Sequence, residues 1–250
     1  MKPRSWLIVS DNFFFKYRNA LFPAVILIVF LGMRPAALFG DAAMDRWLGR
    51  IGMVVAVVGE LIRLTTIGFE YIDRGGKHRQ VWASRLVQGG VYGLTRNPMY
   101  VGNLLIVSGM CLIARAPLSY VTIIPLFFYI YWAIVLTEEH FLRGKFGEEF
   151  EEYCRRVPRF LPSFEGFPRS FAGLRYNWKR PIRQDLSTFT GVALGLALFP
   201  LWRRLWLGGQ GAWRIVVPQA TVRLAVILAC YGVLHTLKRQ RVLEEPEGTS

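Results

Sequence analysis

The chain has 250 residues, of which 53% are hydrophobic and only 19% charged, and its formal net charge is +14. A soluble domain of this size carries more charge and shorter apolar runs, so the composition argues against an ordinary soluble enzyme. A nucleic-acid-binding protein is also disfavoured, because the basic residues are spread between apolar segments rather than clustered on one domain.

Six apolar runs approach or exceed the roughly 20 residues that a helix needs to cross a bilayer. They are Ala20–Phe39, Leu48–Ile72, Tyr100–Ala114, Leu118–Thr137, Ser187–Leu207 and Ile215–Leu237. We therefore predict an all-α, polytopic membrane bundle of about six transmembrane helices. The first run has an alternative interpretation as a secretory signal with a cleavage site at residues 40–42, which its nineteen-residue lead-in disfavours.

Two polar, turn-rich blocks flank the third and fourth apolar runs. The first polar block is residues 90–102 and the second is residues 138–158. The link between the two runs, residues 115–117, is so short that they should form an antiparallel hairpin. Both polar blocks then lie at the same membrane face and can form one site.

The distribution of basic residues predicts which face this is. With a cytoplasmic N-terminus, 22 of the 31 lysines and arginines fall on the inner side and seven on the outer side. This split agrees with the positive-inside rule. We expect a multi-pass membrane protein whose polar blocks, and therefore whose active site, face the cytoplasm.

The first polar block combines a turn with close backbone approach. Pro98 disfavours the helical conformation at Asn97, so the chain should turn before it enters the third run. The glycines permit close contact, and the backbone amides that open the next helix can face an anionic group. The alternative is a plain membrane-entry turn in which Tyr92 and Tyr100 are interface anchors.

The second polar block carries the charged groups. Glu138 and Glu139 come where the fourth apolar run ends, and Arg156 can hold an anion through two hydrogen bonds. The alternatives are solvated charges at a helix end and an arginine that contacts lipid phosphate. We expect the fourth helix to continue until Pro158 ends it.

Two further features concern the spans themselves. Glu60 and Arg63 lie mid-span and three residues apart, where charge usually points inward; they form an internal ion pair or line a substrate cavity, with Arg223 and Gln219 as candidate partners. The three cysteines are scattered and lack metal-ligand spacing, so we predict no metal site.

The two blocks together resemble the isoprenylcysteine carboxyl methyltransferase and phospholipid methyltransferase superfamily. The family pattern is arginine-histidine-proline-x-tyrosine-x-glycine, then a glutamate pair, phenylalanine-glycine, a tyrosine, and arginine-valine-proline. This chain has the same order and spacing over residues 88–162, with Asn97 at the histidine position and Phe150 where tyrosine is common. Asparagine-proline-methionine-tyrosine is itself similar to the phosphatidylethanolamine methyltransferases.

The resemblance implies an integral membrane enzyme that uses S-adenosylmethionine to methylate a membrane lipid or lipidated acceptor. It implies catalytic roles for Arg156 and Glu139, with Arg156 near the acceptor. It implies cofactor contacts from Tyr92, Arg96, Asn97, Pro98, Tyr100, Gly102, Glu138 and Glu139. Because Arg156 suits an anion, we favour a carboxylate or phosphate oxygen over an amine as the nucleophile, although the acid pair leaves an amine open.

The predicted organisation is in three parts: membrane helices in residues 1–86, a methyltransferase core in 87–165, and an interfacial segment with two further membrane helices in 166–250. Two other functions compete with methyl transfer. One is a membrane reductase of the sterol-reductase type that uses NADPH, and the other is a small transporter lined by the mid-span charges. The first has more spans than this chain provides, and no repeat supports the second.

Overall fold

The computed structural model describes residues 32–36, 41–70, 84–240 and 242–243. Within these residues all regular structure is helical, which agrees with the predicted all-α class. The long helices are α1 (Ala42–Phe69), α2 (Pro98–Ala114), α3 (Pro117–Phe146), α6 (Lys179–Leu207) and α7 (Trp213–Arg239). Two short helices, α4 (Glu148–Arg156) and α5 (Phe167–Phe171), and a 3-10 turn at Gly90–Gly93 lie between them.

Four of the helices, α1, α3, α6 and α7, are long and apolar enough to cross a membrane, and α2 is a shorter apolar helix of 17 residues. Each of these five corresponds to one of the predicted spans. The remaining predicted span, Ala20–Phe39, lies mostly outside the described residues. Six spans therefore remain a prediction.

Local sequence sets the ends of the helices around the polar blocks. Pro98 and Pro117 occupy the first helical positions of α2 and α3, where the missing proline N–H costs no helical hydrogen bond. The prediction that one helix runs on to Pro158 is wrong. The helix stops at Phe146 because Gly147 has a φ of 53°, and a separate helix, α4, begins at Glu148.

Helix α2 is the centre of the bundle, with α1 and α3 against different faces. Its contact with α1 depends on small residues: a Cβ added to Gly102 would lie 2.7 Å from the carbonyl oxygen of Gly59. On its other side, buried residues of α2 join those of α3 and α6 in one hydrophobic core that includes Tyr100, Tyr131 and Trp202. The hairpin of α2 and α3 thereby brings the start of α2 beside the end of α3, where the polar blocks are.

Candidate active site

The acid pair is buried towards the C-terminal end of α3, the end that we predict to face the cytoplasm. Glu138 and Glu139 are each only 4% exposed, although both carry a carboxyl group. A buried carboxylate needs hydrogen bonds or an opposite charge to offset its desolvation. The first polar block and the segment that follows α4 supply both.

Each glutamate is held by a different set of donors. The hydroxyl of Tyr100 donates to Oε1 of Glu138 at 2.7 Å. Glu139 lies between two arginines: Nη1 of Arg96 is 3.2 Å from its Oε1, and Arg159 donates to both of its oxygens at 2.9 and 2.7 Å. We call these five residues the acid-pair cluster.

The prediction that the two polar blocks meet is therefore confirmed for Arg96, Tyr100, Glu138 and Glu139, which hydrogen bonds and an ion pair join directly. Backbone contacts reinforce the junction. The N–H of Arg96 donates to the Pro158 carbonyl at 2.9 Å, and the side-chain amide of Asn97 donates to the Arg159 carbonyl at 3.1 Å. Asn97 thus connects the blocks instead of capping α2.

The other residues of the first block lie around this junction. Tyr92 is buried, and its carbonyl accepts a hydrogen bond from the Tyr153 hydroxyl at 2.8 Å, which ties the 3-10 turn to α4. Pro98 is buried at the start of α2. Gly102 is on the face of α2 that packs on α1, where an added Cβ would lie 2.6 Å from Cγ of Arg63. Its observed contact is with a helix, and its predicted cofactor contact stays a prediction.

Arg156 lies apart from the acid-pair cluster. Its side chain is 59% exposed on α4, where it contacts Glu152 at 3.8 Å and donates to Gln88 at 2.9 Å. The arginine of this segment that reaches Glu139, in addition to Arg96 of the first block, is Arg159, three residues after Arg156. The sequence analysis missed Arg159. Its position directly after the arginine-valine-proline motif was the feature that could have identified it as a candidate site residue.

Cys154 is a second residue near the acid-pair cluster that the sequence did not single out. Nη1 of Arg96 donates to its Sγ at 2.6 Å. Burial raises the pKa of the Cys154 thiol, and the nearby Arg96 guanidinium partly opposes this effect. Because Arg96 contacts both groups, the thiol lies near Glu139. The described residues contain no group of three or more His, Cys, Asp or Glu side chains that could hold a metal ion.

The mid-span charges form a separate cluster between α1, α2 and α6. Arg63 donates to both oxygens of Asp185, from Nε at 3.1 Å and from Nη2, and to the side chains of Asn103 and Thr188. We call Arg63, Glu60, Asp185, Asn103 and Thr188 the Arg63 cluster. The predicted internal ion pair of Arg63 with Glu60 is confirmed at 3.9 Å, and Asp185, which the sequence analysis did not identify, is a closer partner. Arg223, the predicted partner, donates instead to the Ala197 carbonyl at 2.8 Å.

Comparisons with known proteins show which family the chain belongs to. A family profile described as phospholipid methyltransferase matches residues 48–149, which contain most of α1, all of α2 and α3, and the first polar block. No solved structure matches the chain.

Three curated relatives illustrate the similarity. The cobalt-zinc-cadmium resistance protein CzcN of Cupriavidus metallidurans is 31% identical over 61% of this chain and 67% of its own length. A probable protein-S-isoprenylcysteine O-methyltransferase of Oryza sativa subsp. japonica is 33% identical over 52% of this chain and 69% of its own. Protein-S-isoprenylcysteine O-methyltransferase B of Arabidopsis thaliana is 29% identical over 46% of this chain and 60% of its own. The chain therefore belongs to the isoprenylcysteine carboxyl methyltransferase and phospholipid methyltransferase superfamily of integral membrane proteins.

Proposed function

We propose that this protein is an S-adenosylmethionine-dependent methyltransferase that acts on a lipid or lipidated acceptor. The observation that carries the proposal is the acid-pair cluster, in which two buried glutamates meet the first polar block at one end of the α2–α3 hairpin. Family membership supplies the reaction class.

The cluster has the donor and acceptor groups that this cofactor requires. S-adenosylmethionine, when bound, supplies a methyl group on a positively charged sulfonium, and it also carries an ammonium, a carboxylate and ribose hydroxyls. Glu138 and Tyr100 offer oxygens for the ammonium or the hydroxyls. Nε of Arg96 is buried with no hydrogen-bond partner among the described residues, so it is a donor that an anionic carboxylate would satisfy. We propose that Tyr92, Asn97, Pro98 and Gly102 shape the cofactor site around these groups.

An anionic oxygen remains the favoured nucleophile. An amine acceptor must lose a proton to a base in order to react. Both oxygens of Glu139 already accept hydrogen bonds from Arg159, so this carboxylate is engaged with a protein cation. A carboxylate or phosphate arrives ionised and needs only a cation to orient it. The catalytic roles predicted for Glu139 and Arg156 stay predictions.

We also propose that the site faces the cytoplasm, where a soluble cofactor is available. The segment that follows α3 supports this orientation, since it carries Arg155, Arg159, Arg169, Arg175, Lys179, Arg180 and Arg183 near the same membrane boundary. Cysteines introduced at residues 84–89 and 165–178 should be labelled from the cytoplasmic side by an impermeant reagent. Labelling of the two segments from opposite sides would contradict a single site.

A binding titration tests the reaction class. Purified full-length protein in nanodiscs should bind S-adenosylmethionine saturably and should not bind NADPH, which a reductase would require. Incubation of native membrane lipids with radiolabelled S-adenosylmethionine then tests the nucleophile. Base-labile label indicates a methyl ester, and label on an amine headgroup that survives mild alkali would overturn the choice of an anionic oxygen.

A further inference from the structure

An exposed aromatic surface leads along α3 to the acid-pair cluster. The rings of Trp132 and Phe160 stack with centroids 5.6 Å apart, and Phe128 lies 5.8 Å from Trp132 and 6.3 Å from Phe160. Trp132 is 38% exposed and Phe128 is 48% exposed. Phe128 precedes Glu139 by eleven residues, so about 16 Å of helix separates the far end of the aromatic surface from the acid pair.

Arg159 stands at the polar end of this surface. Its guanidinium lies 5.3 Å from the centre of the Trp132 ring while it holds both oxygens of Glu139. A cation over an indole face is stabilised by the ring quadrupole. The arginine therefore joins the aromatic surface to the acid-pair cluster in a single set of contacts.

The backbone around Arg159 is fixed in place. Its carbonyl accepts hydrogen bonds from the hydroxyl of Thr95 at 3.2 Å and from the amide of Asn97. The neighbouring Phe160 carbonyl accepts a second contact from Thr95 at 3.1 Å, and the N–H of Ser163 donates to the Leu94 carbonyl at 2.9 Å. These contacts hold the backbone of Arg159, and Glu139 holds its side chain. A residue held in this way loses little conformational entropy when it binds a ligand.

Arg159 also keeps an unused donor. Nε and Nη2 are occupied by Glu139, whereas Nη1 has no partner among the described residues, and the side chain is 31% exposed. The hydrogen bonds to Glu139 raise the pKa of Arg159 above its ordinary value, against the opposing effect of burial. The guanidinium is thus a permanent cation with one free edge beside an apolar surface.

We propose that Arg159 is the residue that positions the acceptor: Nη1 binds the anionic oxygen, and Trp132, Phe160 and Phe128 hold the apolar chain attached to it. The acceptor is then an amphiphile in which a carboxylate or phosphate lies close to the attachment point of a long apolar chain. This inference rests on the proposed methyl transfer. In that reaction an O–CH₃ bond forms, the S–CH₃ bond breaks, and the sulfonium becomes a neutral thioether. A carboxylate becomes an uncharged ester and a phosphate loses one negative charge, so Arg159 binds the product less tightly than the acceptor.

A paired-probe binding experiment tests the proposal. The probes are N-acetyl-S-farnesylcysteine, which has a free carboxylate, and its methyl ester, each titrated into full-length protein in nanodiscs. Arg159→Gln should weaken binding of the acid at least about tenfold, as expected for a charged hydrogen bond, and change binding of the ester less than about threefold. Arg155→Gln is the matched control, because Arg155 is an exposed arginine of α4 with no contact to the acid-pair cluster among the described residues.

Two further variants keep the outcome decisive. Trp132→Ala should weaken both probes, because it shortens the apolar surface without removing the cation. Arg156→Gln tests the rival arginine: if it weakens the acid while Arg159→Gln does not, the proposal is overturned in favour of Arg156. Equal losses of acid and ester in Arg159→Gln also overturn it, since they indicate a structural role.

Binding of S-adenosylmethionine, measured on the same samples, separates this inference from the proposed function. If the wild-type protein fails to bind the cofactor, the proposed function fails. If the cofactor binds and the acid probe binds equally to wild type and to Arg159→Gln, only the inference about Arg159 fails. A second pair of probes, palmitate and lysophosphatidate, shows whether the favoured anion is a carboxylate or a phosphate.

Discussion

The Arg63 cluster and the acid-pair cluster contain similar chemistry, and each includes one residue of α2, Asn103 in the first and Tyr100 in the second. Each has an arginine that holds a carboxylate through two hydrogen bonds, Arg63 with Asp185 and Arg159 with Glu139. They differ in whether the arginines keep hydrogen-bond donors that have no partner. In the Arg63 cluster all three guanidinium nitrogens have partners. In the acid-pair cluster, Arg159 and Arg96 each keep a donor without a described partner.

Burial and charge alone therefore do not identify a functional site. Arg63 is 6% exposed and is enclosed by three helices, so its cluster acts as a clamp that fixes α6 to α1. Arg159 comes from a segment between helices, is partly exposed, and adjoins an aromatic surface. Unused donors with access from outside are the features that distinguish the site, and the predictions below test this distinction.

The largest effect is expected on stability when the clamp is broken. Arg63→Met leaves Asp185 buried without its partner, so we expect a loss of about 3–5 kcal/mol in the free energy of unfolding. Arg63→Met with Asp185→Leu should recover most of it, because no isolated charge remains from the pair. Arg46→Met, on the exposed side of the same helix, is the control. Thermal unfolding in detergent is the measurement, and equal behaviour of Arg63→Met and Arg46→Met would show that the clamp contributes nothing.

A smaller and different effect is expected in the acid-pair cluster. Glu138→Gln should weaken S-adenosylmethionine binding by about 1–3 kcal/mol, since a charged hydrogen bond is lost, while unfolding changes little. Glu148→Gln removes an exposed carboxylate from α4 and serves as the control. Binding titration and thermal unfolding on the same variants separate the two outcomes. A large loss of stability with unchanged cofactor affinity would place Glu138 among the structural charges.

Cys154 reports access to the site. Burial raises the thiol pKa, and only the thiolate is reactive, so its alkylation at pH 8 should be slower than that of an exposed cysteine. The rate should rise about tenfold per pH unit up to that raised pKa. Bound S-adenosylmethionine should slow the reaction by covering Arg96, whereas Cys111, buried in α2, should stay unreactive. Mass spectrometry of alkylated protein gives both rates, and alkylation unaffected by cofactor would separate Cys154 from the site.

Tyr100 offers a more conservative change in the same cluster. Tyr100→Phe removes only the hydroxyl that donates to Glu138, so cofactor affinity should fall by about 1 kcal/mol, or roughly fivefold. Tyr129→Phe, on the exposed face of α3, should have no effect on affinity. The measurement is the same titration. An unchanged affinity in Tyr100→Phe would indicate that the hydroxyl orients nothing that the cofactor contacts.

The sequence predicted most of this architecture for physical reasons that are local. Apolar runs set the five long helices, and prolines set the first residues of α2 and α3. The motif residues Arg96, Tyr100, Glu138 and Glu139 were found because they match the family pattern, and the short link between the two apolar runs explains why their blocks meet. The end of α3 at Gly147 was not predicted, because a single glycine in a sequence does not show whether its φ is positive.

Partner choice was less predictable because it depends on how distant helices pack. Asp185 lies more than 120 positions from Arg63, and only the contact of α6 with α1 brings them together. Arg159 was overlooked in favour of Arg156, which stands in the recognisable motif. Pro158 separates the two arginines and ends the regular path of α4, so their side chains point to different surroundings.

The smallest effect on stability is expected from substitution of Glu60, and this substitution tests whether both carboxyl groups of the Arg63 cluster contribute to stability. Glu60 is 5% exposed, its nearest approach to Arg63 is 3.9 Å, and neither carboxyl oxygen has a hydrogen-bond partner among the described residues. Glu60→Gln replaces a carboxyl group that accepts no hydrogen bond from the described residues with a neutral amide of the same shape. We therefore expect the free energy of unfolding to change by less than about 1 kcal/mol, or to rise, in contrast to Arg63→Met. Glu60→Ala gives the size of the packing contribution, because it removes the side chain and leaves a cavity. Thermal unfolding of the three variants settles the comparison: if Glu60→Gln destabilises as strongly as Arg63→Met, the clamp includes Glu60 as an ion partner, and the stability of α1 against α6 depends on both carboxyl groups.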